Sequence, residues 1–254
     1  MARTFLVTLH YDGGRFAGWQ RQAKGRTVQA EIEAILQQLC ERPIRVHAAG
    51  RTDAGVHAVG MATSFTLPDR WSAPSLRKSL NSLLPEDCWA ESVLEARAGF
   101  HARTKAFGRR YRYVIGTDVM AASPFRRRYE WALGKQLDRE ALAAAAAPLP
   151  GEHDFHAFSV RRSPVAHRRC RIRLARWVER PADAGLVFEI AANRFLHHMV
   201  RMLVGTMVDI GLGRRAVRDM TRLLALDPGV RTSPPAPAEG LFFVAADYTK
   251  EWLT

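Results

Sequence analysis

Segments in which apolar and polar residues alternate recur along the chain, and helical patterns separate them. Two clear examples of alternation cover residues 4–11 and 170–179. A period of two places one face of a strand against a core, whereas apolar residues spaced three and four apart favour an amphipathic helix. A chain in which these patterns interchange is constrained to an α+β fold, in which helices and antiparallel strands share a core.

The order of these segments predicts two similar halves. The strands expected in the first half are 4–11, 44–48, 60–67 and 89–96, and Thr27 and Ala73 mark its two helix starts. A further strand at 109–115 completes a β-α-β-β-α-β order of the ferredoxin type. In the second half we expect strands at 170–179, 186–191 and 241–248, and helices at 139–147, around 196–210 and at 214–226. The predicted domains are residues 1–107 and 108–254.

The composition is that of a water-soluble globular protein, with 254 residues of which 47% are hydrophobic. No apolar run reaches the length of a membrane span, and the N-terminus has no signal-peptide pattern. We therefore expect a cytoplasmic protein. The three cysteines are far apart, so neither a disulfide framework nor a zinc site is predicted; we expect reduced, mostly buried thiols.

The charge points to a polyanionic partner. Lys and Arg number 38 against 25 for Asp and Glu, a formal net charge of +13. Phosphate backbones are the commonest such partner, and an acidic membrane surface is the alternative, although the chain lacks a basic amphipathic helix. Arginine clusters at 126–128, 161–162 and 168–169 fit either solvated loops or phosphate contacts.

One loop motif is a candidate functional site: Gly50, Arg51, Thr52, Asp53, Ala54, Gly55, Val56, His57 and Ala58. Its glycines allow a sharp bend and a close approach to a ligand. Arg51 and Asp53 are two residues apart, so they point the same way on an extended segment and can pair. On its spacing alone the pattern favours a plain turn with a surface ion pair, and the alternative is a carboxylate kept charged as a nucleophile or general base.

Further motifs follow in order along the chain. They are Tyr11-Asp12-Gly13, Phe16 and Gly18-Trp19-Gln20; Thr27-Val28-Gln29 with Glu31; Leu80-Asn81 with Leu84-Pro85; Phe100-His101-Ala102-Arg103, Lys105 and Arg110-Tyr111-Arg112-Tyr113; Asp154-Phe155 with Phe158; Phe195 to Arg201; and Pro235-Ala236 with Gly240-Leu241. Together with the motif around Asp53, this ordered set resembles the tRNA pseudouridine synthase A family over nearly the whole chain.

The resemblance implies an isomerase that converts uridine to pseudouridine at positions 38, 39 and 40, in the anticodon stem-loop of tRNA. It implies no cofactor and no catalytic metal. The partners implied are tRNA and a second copy of the chain in a homodimer. The implied fold has two ferredoxin-like or RRM-like halves that share an extended antiparallel sheet, with helices on one side and a central active-site cleft.

The resemblance also implies roles for individual residues. Asp53, in the N-terminal half, would be the catalytic carboxylate and would attack either C1′ of the ribose or C6 of the base. Tyr111 would stack on the flipped uracil and help to remove the C5 proton, and Arg201 would keep Asp53 charged. Arg51 would help to extrude the base. The further substrate-binding residues expected are Leu241 against the base, and Gln20, Arg21, Arg103 and Arg110.

Three other points bear on the site. Tyr111 and Tyr113 share one face of their strand, so at least one of them is expected in the core. His197 and His198 lack a third ligand at metal-site spacing, which favours a packing role, and His153 and His156 are expected at the surface and core of a helix. The alternative function is a non-catalytic RNA-binding or RNA-chaperone module.

Overall fold

The computed structural model describes residues 2–160 and 167–253, and its strands and helices confirm the α+β class. The strands are β1 (Ala2–Tyr11), β2 (His47–Ala48), β3 (His57–Pro68), β4 (Cys88–Ala96), β5 (Gly108–Gly116), β6 (Trp131–Ala132), β7 (Gly151–Asp154), β8 (Arg169–Glu179), β9 (Leu186–Ala192) and β10 (Leu241–Asp247). The helices are α1 (Val28–Cys40), α2 (Ala73–Leu83), α3 (Arg139–Ala146), α4 (Met199–Gly211) and α5 (Asp219–Leu224).

The chain divides into two compact units. The first contains the residues up to Arg109 together with those from Phe242 onwards, and the second is Arg110–Leu241. The first unit is therefore discontinuous in sequence, because the last strand returns to it. Within the described residues, no helix combines the length and the apolarity needed to cross a membrane.

The sheet of the first unit has the ferredoxin-like strand order β4-β1-β3-β2. β1 pairs antiparallel with both β3 and β4, and β2 pairs antiparallel with β3 at Ser64 and Thr63. The start of β3 has a different neighbour, because His57 and Ala58 pair in parallel with Phe242 and Phe243 of β10. The long strand β3 is therefore the strand of this unit that pairs with β1, β2 and β10.

Side-chain caps explain why both helices of the first unit start where the sequence predicts. The Thr27 hydroxyl accepts from the Ala30 N–H at the start of α1. Ser72 and Ser75 cap each other's backbone N–H groups at the start of α2. The amide of Asn81 then makes two hydrogen bonds to the backbone of Ala90, which holds α2 against β4.

The sheet of the second unit has the order β5-β9-β8-β7, and β6 adds a short parallel pairing to β5. Its core contains the fully buried rings of Phe155, Phe158 and Phe188. The Asp138 carboxylate caps α3 by accepting from the Ala141 N–H, as the sequence predicts.

Several expected elements are shorter than the patterns indicate. The strand expected at 44–48 forms a ladder over two residues only, because the Val46 N–H donates to the Glu33 carboxylate instead of a strand. The helix expected at 214–226 is only Asp219–Leu224. Turn hydrogen bonds take up the residues before it, including one from the Arg214 N–H to the Asp209 carbonyl.

The expectation for His153 and His156 is wrong. His153 lies on β7, and His156 is an exposed residue of a short 3₁₀ turn, so neither is on an α-helix. The expectation for the cysteines is confirmed, because Cys40, Cys88 and Cys170 are all free and buried.

Candidate active site

Asp53 lies in the loop between β2 and β3. A second loop of the first unit, which contains Phe16 and Trp19, is hydrogen-bonded to this loop. The Trp19 N–H donates to the Thr52 carbonyl at 3.0 Å, and the Gly55 N–H donates to the Phe16 carbonyl at 3.3 Å. The hydroxyl oxygens of Tyr11 and Thr52 share a buried hydrogen bond of 2.8 Å. These contacts hold the backbone on both sides of Asp53.

Two glycines make this close approach possible. A Cβ at Gly13 would lie 2.1 Å from the Val56 carbonyl oxygen, and one at Gly18 would lie 2.7 Å from the Thr52 carbonyl oxygen. Gly18 also has φ +98°, in the region where side chains are strained. The sequence motifs contain both glycines, but their role in supporting the Asp53 loop was not among the expectations.

The side chains of the Asp53 loop alternate between inside and outside. Thr52 is 7% exposed, whereas Asp53 is half-buried and Arg51 is exposed. The pKa of Arg51 lies below its usual value, because partial burial and then the positive charge of Arg103 disfavour its proton. Two arginines that repel each other beside a carboxylate loop make an electropositive surface, which favours an approaching phosphate.

Arg109 is a residue that the sequence analysis missed, and it positions this surface. Its guanidinium donates to three carbonyl oxygens: Arg103 at 2.6 Å, Ala106 at 2.8 Å and Ala49 at 3.1 Å. Ala49 directly precedes the Gly50–Ala58 motif, so Arg109 ties the segment that carries Arg103 to the start of the Asp53 loop. No sequence signal distinguishes Arg109 from the arginines beside it.

The expected residues Gln20 and Arg21 are exposed, next to the supporting loop. The Arg21 N–H donates to the Gln29 side chain at 3.1 Å, and its guanidinium lies 3.6 Å from the Glu33 carboxylate. Arg21 is therefore anchored to α1 rather than to the Asp53 loop. Arg161 and Arg162, of the arginine clusters, lie outside the described residues.

In the second unit, the two tyrosines of β5 have different environments. Tyr113 is fully buried, and its hydroxyl donates to the Pro237 carbonyl at 2.7 Å. Tyr111 is half-buried, and its ring meets Phe195 edge-on with the centroids 5.0 Å apart. Arg110 is exposed. The expectation that at least one of the two tyrosines belongs to the core is confirmed for Tyr113.

Arg201 and Leu241 belong to the same unit as Tyr111. Arg201 is half-buried on α4, where its Nε–H donates to the Ala236 carbonyl at 2.7 Å and its own carbonyl accepts from the Ala236 N–H. Leu241 is 5% exposed at the start of β10. Arg201 therefore holds the loop that leads into Leu241.

His197 and His198 precede α4 as neighbouring rings, with centroids 4.1 Å apart. His198 is the N-cap residue of α4 and has a left-handed backbone with φ +62°. Such a backbone makes a sharp bend into the helix, and Met199 and Val200 are buried directly after it.

Comparison with known proteins identifies the family. A family model described as tRNA pseudouridine synthase matches residues 8–103 and 145–249. The tRNA pseudouridine synthase A of Moorella thermoacetica is 41% identical over 244 residues, which cover 95% of this chain and 98% of that protein. The protein of the same name from Lacticaseibacillus casei is 38% identical over 96% of this chain and 99% of its own length. For that of Solidesulfovibrio magneticus the identity is 41%, over 98% of this chain and 92% of the relative. The chain therefore belongs to the tRNA pseudouridine synthase family, and its activity is that of an isomerase.

Proposed function

We propose that this protein converts uridine to pseudouridine at positions 38, 39 and 40 in the anticodon stem-loop of tRNA, with Asp53 as the catalytic nucleophile. The observation that carries the proposal is the support of the Asp53 loop. Backbone hydrogen bonds on both sides of Asp53 and close packing at Gly13 and Gly18 preorganise a half-exposed carboxylate. A preorganised group needs little rearrangement when the substrate arrives.

The reaction exchanges one bond for another within a single nucleotide. The bond between C1′ and N1 breaks, the uracil turns, and a bond between C1′ and C5 forms. C5 loses its proton and N1 gains one, so the reaction is redox-neutral and needs no cofactor or metal. In this proposal the Asp53 carboxylate starts the exchange by attacking C1′ or C6, and it is released when the new bond is complete.

The target base must leave the RNA stack before a protein carboxylate can reach it, at a cost of a few kcal/mol. Stacking on an aromatic ring returns about 1–3 kcal/mol per base. We assign this stacking to Tyr111, whose half-buried ring is already oriented by Phe195. Leu241 would pack against the base, and Arg51 would help to extrude it.

The remaining residues would bind or orient the substrate. Arg201 would supply the positive charge that keeps the nucleophile ionised during base flipping. Arg103 and Arg110 are exposed, as is expected of phosphate-binding arginines, and Gln20 and Arg21 would extend that surface.

We further propose that the protein is a homodimer. Four large apolar side chains of the second unit are strongly exposed within one short segment: Val119 (85%), Met120 (58%), Phe125 (90%) and Tyr129 (43%). Ion pairs from Arg126 to Asp118 and Glu130 hold this segment in place. Contiguous apolar patches of this kind mark association surfaces. Light scattering should give twice the monomer mass, and Phe125→Asp should give the monomer mass.

The experiment that tests the catalytic assignment is tritium release from tRNA labelled at C5 of uridine. Asp53→Asn keeps the shape of the side chain but removes its charge, so release should fall by at least about 1,000-fold while tRNA binding stays within about threefold. Asp69→Asn removes the same charge from an exposed turn of the same unit and should keep full activity.

Two results would contradict the proposal. Tritium release by Asp53→Asn at the wild-type rate would remove Asp53 from the mechanism. A wild-type protein that binds tRNA but leaves its nucleosides unchanged, by chemical mapping of pseudouridine, would support the non-catalytic RNA-binding alternative instead. The same map tests the assignment to positions 38, 39 and 40.

A further inference from the structure

A groove of about 410 Å³ lies in the first unit, between the segment that leads into β2 and the far half of β3. Ser64, Phe65 and Phe100 line it, and all three are at most 5% exposed. Arg42, Arg45 and His47 line it as well. None of the residues that line the groove is acidic.

The two arginines of the groove differ from many other arginines of this protein. Arg3, Arg26, Arg126, Arg139, Arg176 and Arg180, for example, all form ion pairs with carboxylates. By contrast, Arg42 and Arg45 are exposed and donate no hydrogen bond to any residue in the described part of the chain. Both guanidinium groups therefore retain all of their donors for a ligand.

A pair of stacked histidines lies beside these arginines. The rings of His47 and His101 lie 4.2 Å apart at an interplanar angle of 28°. The Nδ1 atom of His101 accepts backbone hydrogen bonds from Arg103 and Thr104, so its neutral ring carries the proton on Nε2. His101 is thus a donor at Nε2 in either charge state.

The charges around His47 favour the binding of an anion in the groove. Three effects lower the pKa of His47: burial is the largest, and the positive fields of His101 and Arg45 follow. Glu33 acts in the opposite direction but more weakly. An anion in the groove would relieve this repulsion and favour the protonated ring.

The groove is separate from the position of the reacting nucleotide. His57 begins β3 directly after the Asp53 loop, and Ser64 lies seven residues further along the same strand. At about 3.3 Å per residue, this separates the groove from the start of β3 by roughly 20 Å. A phosphate bound in the groove would therefore belong to another part of a bound RNA than the target uridine.

We propose that Arg42, Arg45, His47 and His101 form a phosphate-binding subsite that holds the tRNA backbone at a distance from the target base. The identity of the ligand rests on the proposed function, because free phosphate offers the same chemistry as a backbone phosphate. The subsite contributes to binding and not to the chemical step. Because a bound anion favours the protonated ring of His47, the subsite binds phosphate more tightly at lower pH.

The test is the binding of full-length tRNA to the double variant Arg42→Gln/Arg45→Gln, measured from low to high salt. The expected result is about tenfold weaker binding, with the slope of log K against log salt reduced by roughly 1 for each lost phosphate contact. The single-turnover rate at saturating tRNA should stay within about twofold of wild type. The matched control is Arg139→Gln/Arg176→Gln, which removes two exposed arginines that already pair with acids.

Lower pH provides a second readout. Wild-type binding should tighten as the pH falls from 8 to 6, and His47→Gln should lose part of this gain, because a bound phosphate raises the affinity of the ring for its proton. His156→Gln, which removes an exposed histidine of the second unit, should keep the full gain. Circular dichroism spectra and melting curves check that each variant is folded.

Several outcomes would overturn the proposal. One is a double variant that binds tRNA with the wild-type affinity and salt slope, and another is a loss no larger than that of the control. A third is a subsite for free phosphate only, in which inorganic phosphate shifts the His47 NMR signals and tRNA does not. Pseudouridine formation by the wild type is measured in the same samples, so a failure of the proposed function would be seen separately.

Discussion

Tyr111 and Tyr113 are two residues apart on β5, but only Tyr113 is closed off from solvent. Its hydroxyl bonds the Pro237 carbonyl inside the core, and burial raises the pKa of this phenol well above its ordinary value. The sequence motif alone cannot divide the two roles, because both side chains share one face. Tyr111 is half-buried, and it is therefore the tyrosine of this pair to which we assign stacking on the base.

This difference predicts opposite effects for two matched substitutions. Tyr113→Phe removes a buried hydrogen bond and should lower the free energy of unfolding by about 1–2 kcal/mol, with little change in the single-turnover rate. Tyr111→Phe keeps the ring and its contact with Phe195 but removes a hydroxyl that we place at the C5 proton. It should slow tritium release at least about 100-fold and leave stability unchanged. Urea unfolding measures the stability, and tritium release measures the rate. A loss of stability in Tyr111→Phe together with slow tritium release by Tyr113→Phe would exchange the two roles.

The buried cysteines allow a prediction about reactivity. Burial, followed by the negative charge of Asp87, raises the pKa of Cys88 to about 12, and burial raises that of Cys170 to about 11. Because only the thiolate is a nucleophile, neither thiol should react with Ellman's reagent at pH 8 in the folded protein. All three cysteines should react in denaturant. Rapid labelling of Cys88 or Cys170 in the native state would contradict their burial.

At the scale of elements, the loop that supports Asp53 depends on a close contact at Gly18. Gly18→Ala would place a methyl group 2.7 Å from the Thr52 carbonyl oxygen and would strain a left-handed backbone. The strain alone costs about 1–2 kcal/mol. Gly99→Ala is the matched control, because Gly99 has φ +82° but nothing lies within 4 Å of the added Cβ.

Both glycine variants should therefore lose stability, but only Gly18→Ala should also lose activity. We expect at least a tenfold lower single-turnover rate for Gly18→Ala, because displacement of Thr52 moves Asp53 with it. Thermal melts and tritium release give the two quantities. Equal loss of activity in both variants would mean that the contact with Thr52 does not position Asp53.

Elements with strong local signals could be predicted from the sequence. The starts of α1 and α3 follow from the capping residues Thr27 and Asp138, and the long strands β1 and β8 follow from alternation. Elements whose extent depends on tertiary contacts could not be predicted from the sequence. The segment before β2 looks like a strand, but the Glu33 side chain takes its backbone hydrogen bond.

The same division applies to the candidate site. Asp53 and Tyr111 could be singled out only through the resemblance of the ordered motifs to the family, because on its own the pattern around Asp53 fits a plain turn and the pattern around Tyr111 fits a core strand. The support of the Asp53 loop by Trp19 and Phe16 consists of backbone hydrogen bonds between distant segments, and the Arg109 guanidinium donates to backbone carbonyls of distant segments. Backbone groups are the same in every residue, so a single sequence carries no sign of these contacts.

At the scale of the whole molecule, the first unit is completed by the last residues of the chain. The Tyr248 hydroxyl donates to the Ala102 carbonyl at 2.8 Å, and the Arg97 N–H donates to the Trp252 carbonyl at 3.3 Å. The Lys105 ammonium group lies 4.1 Å from the centre of a Trp252 ring. These contacts join segments about 150 residues apart, so the unit gains them only when the chain end is present.

Removal of residues 248–254 should therefore destabilise the first unit selectively. We expect amide protons of β1 and β3 to exchange roughly 10- to 100-fold faster, which corresponds to a loss of about 1.4–2.8 kcal/mol. Amides of β8 and β9 in the second unit are the internal control and should keep their protection. Tyr248→Phe, which removes one hydrogen bond from the full-length chain, should give a smaller effect of the same pattern, about 1 kcal/mol. Equal loss of protection in both units would show that they unfold together, and unchanged exchange in β1 and β3 would show that the chain end adds no stability to the first unit.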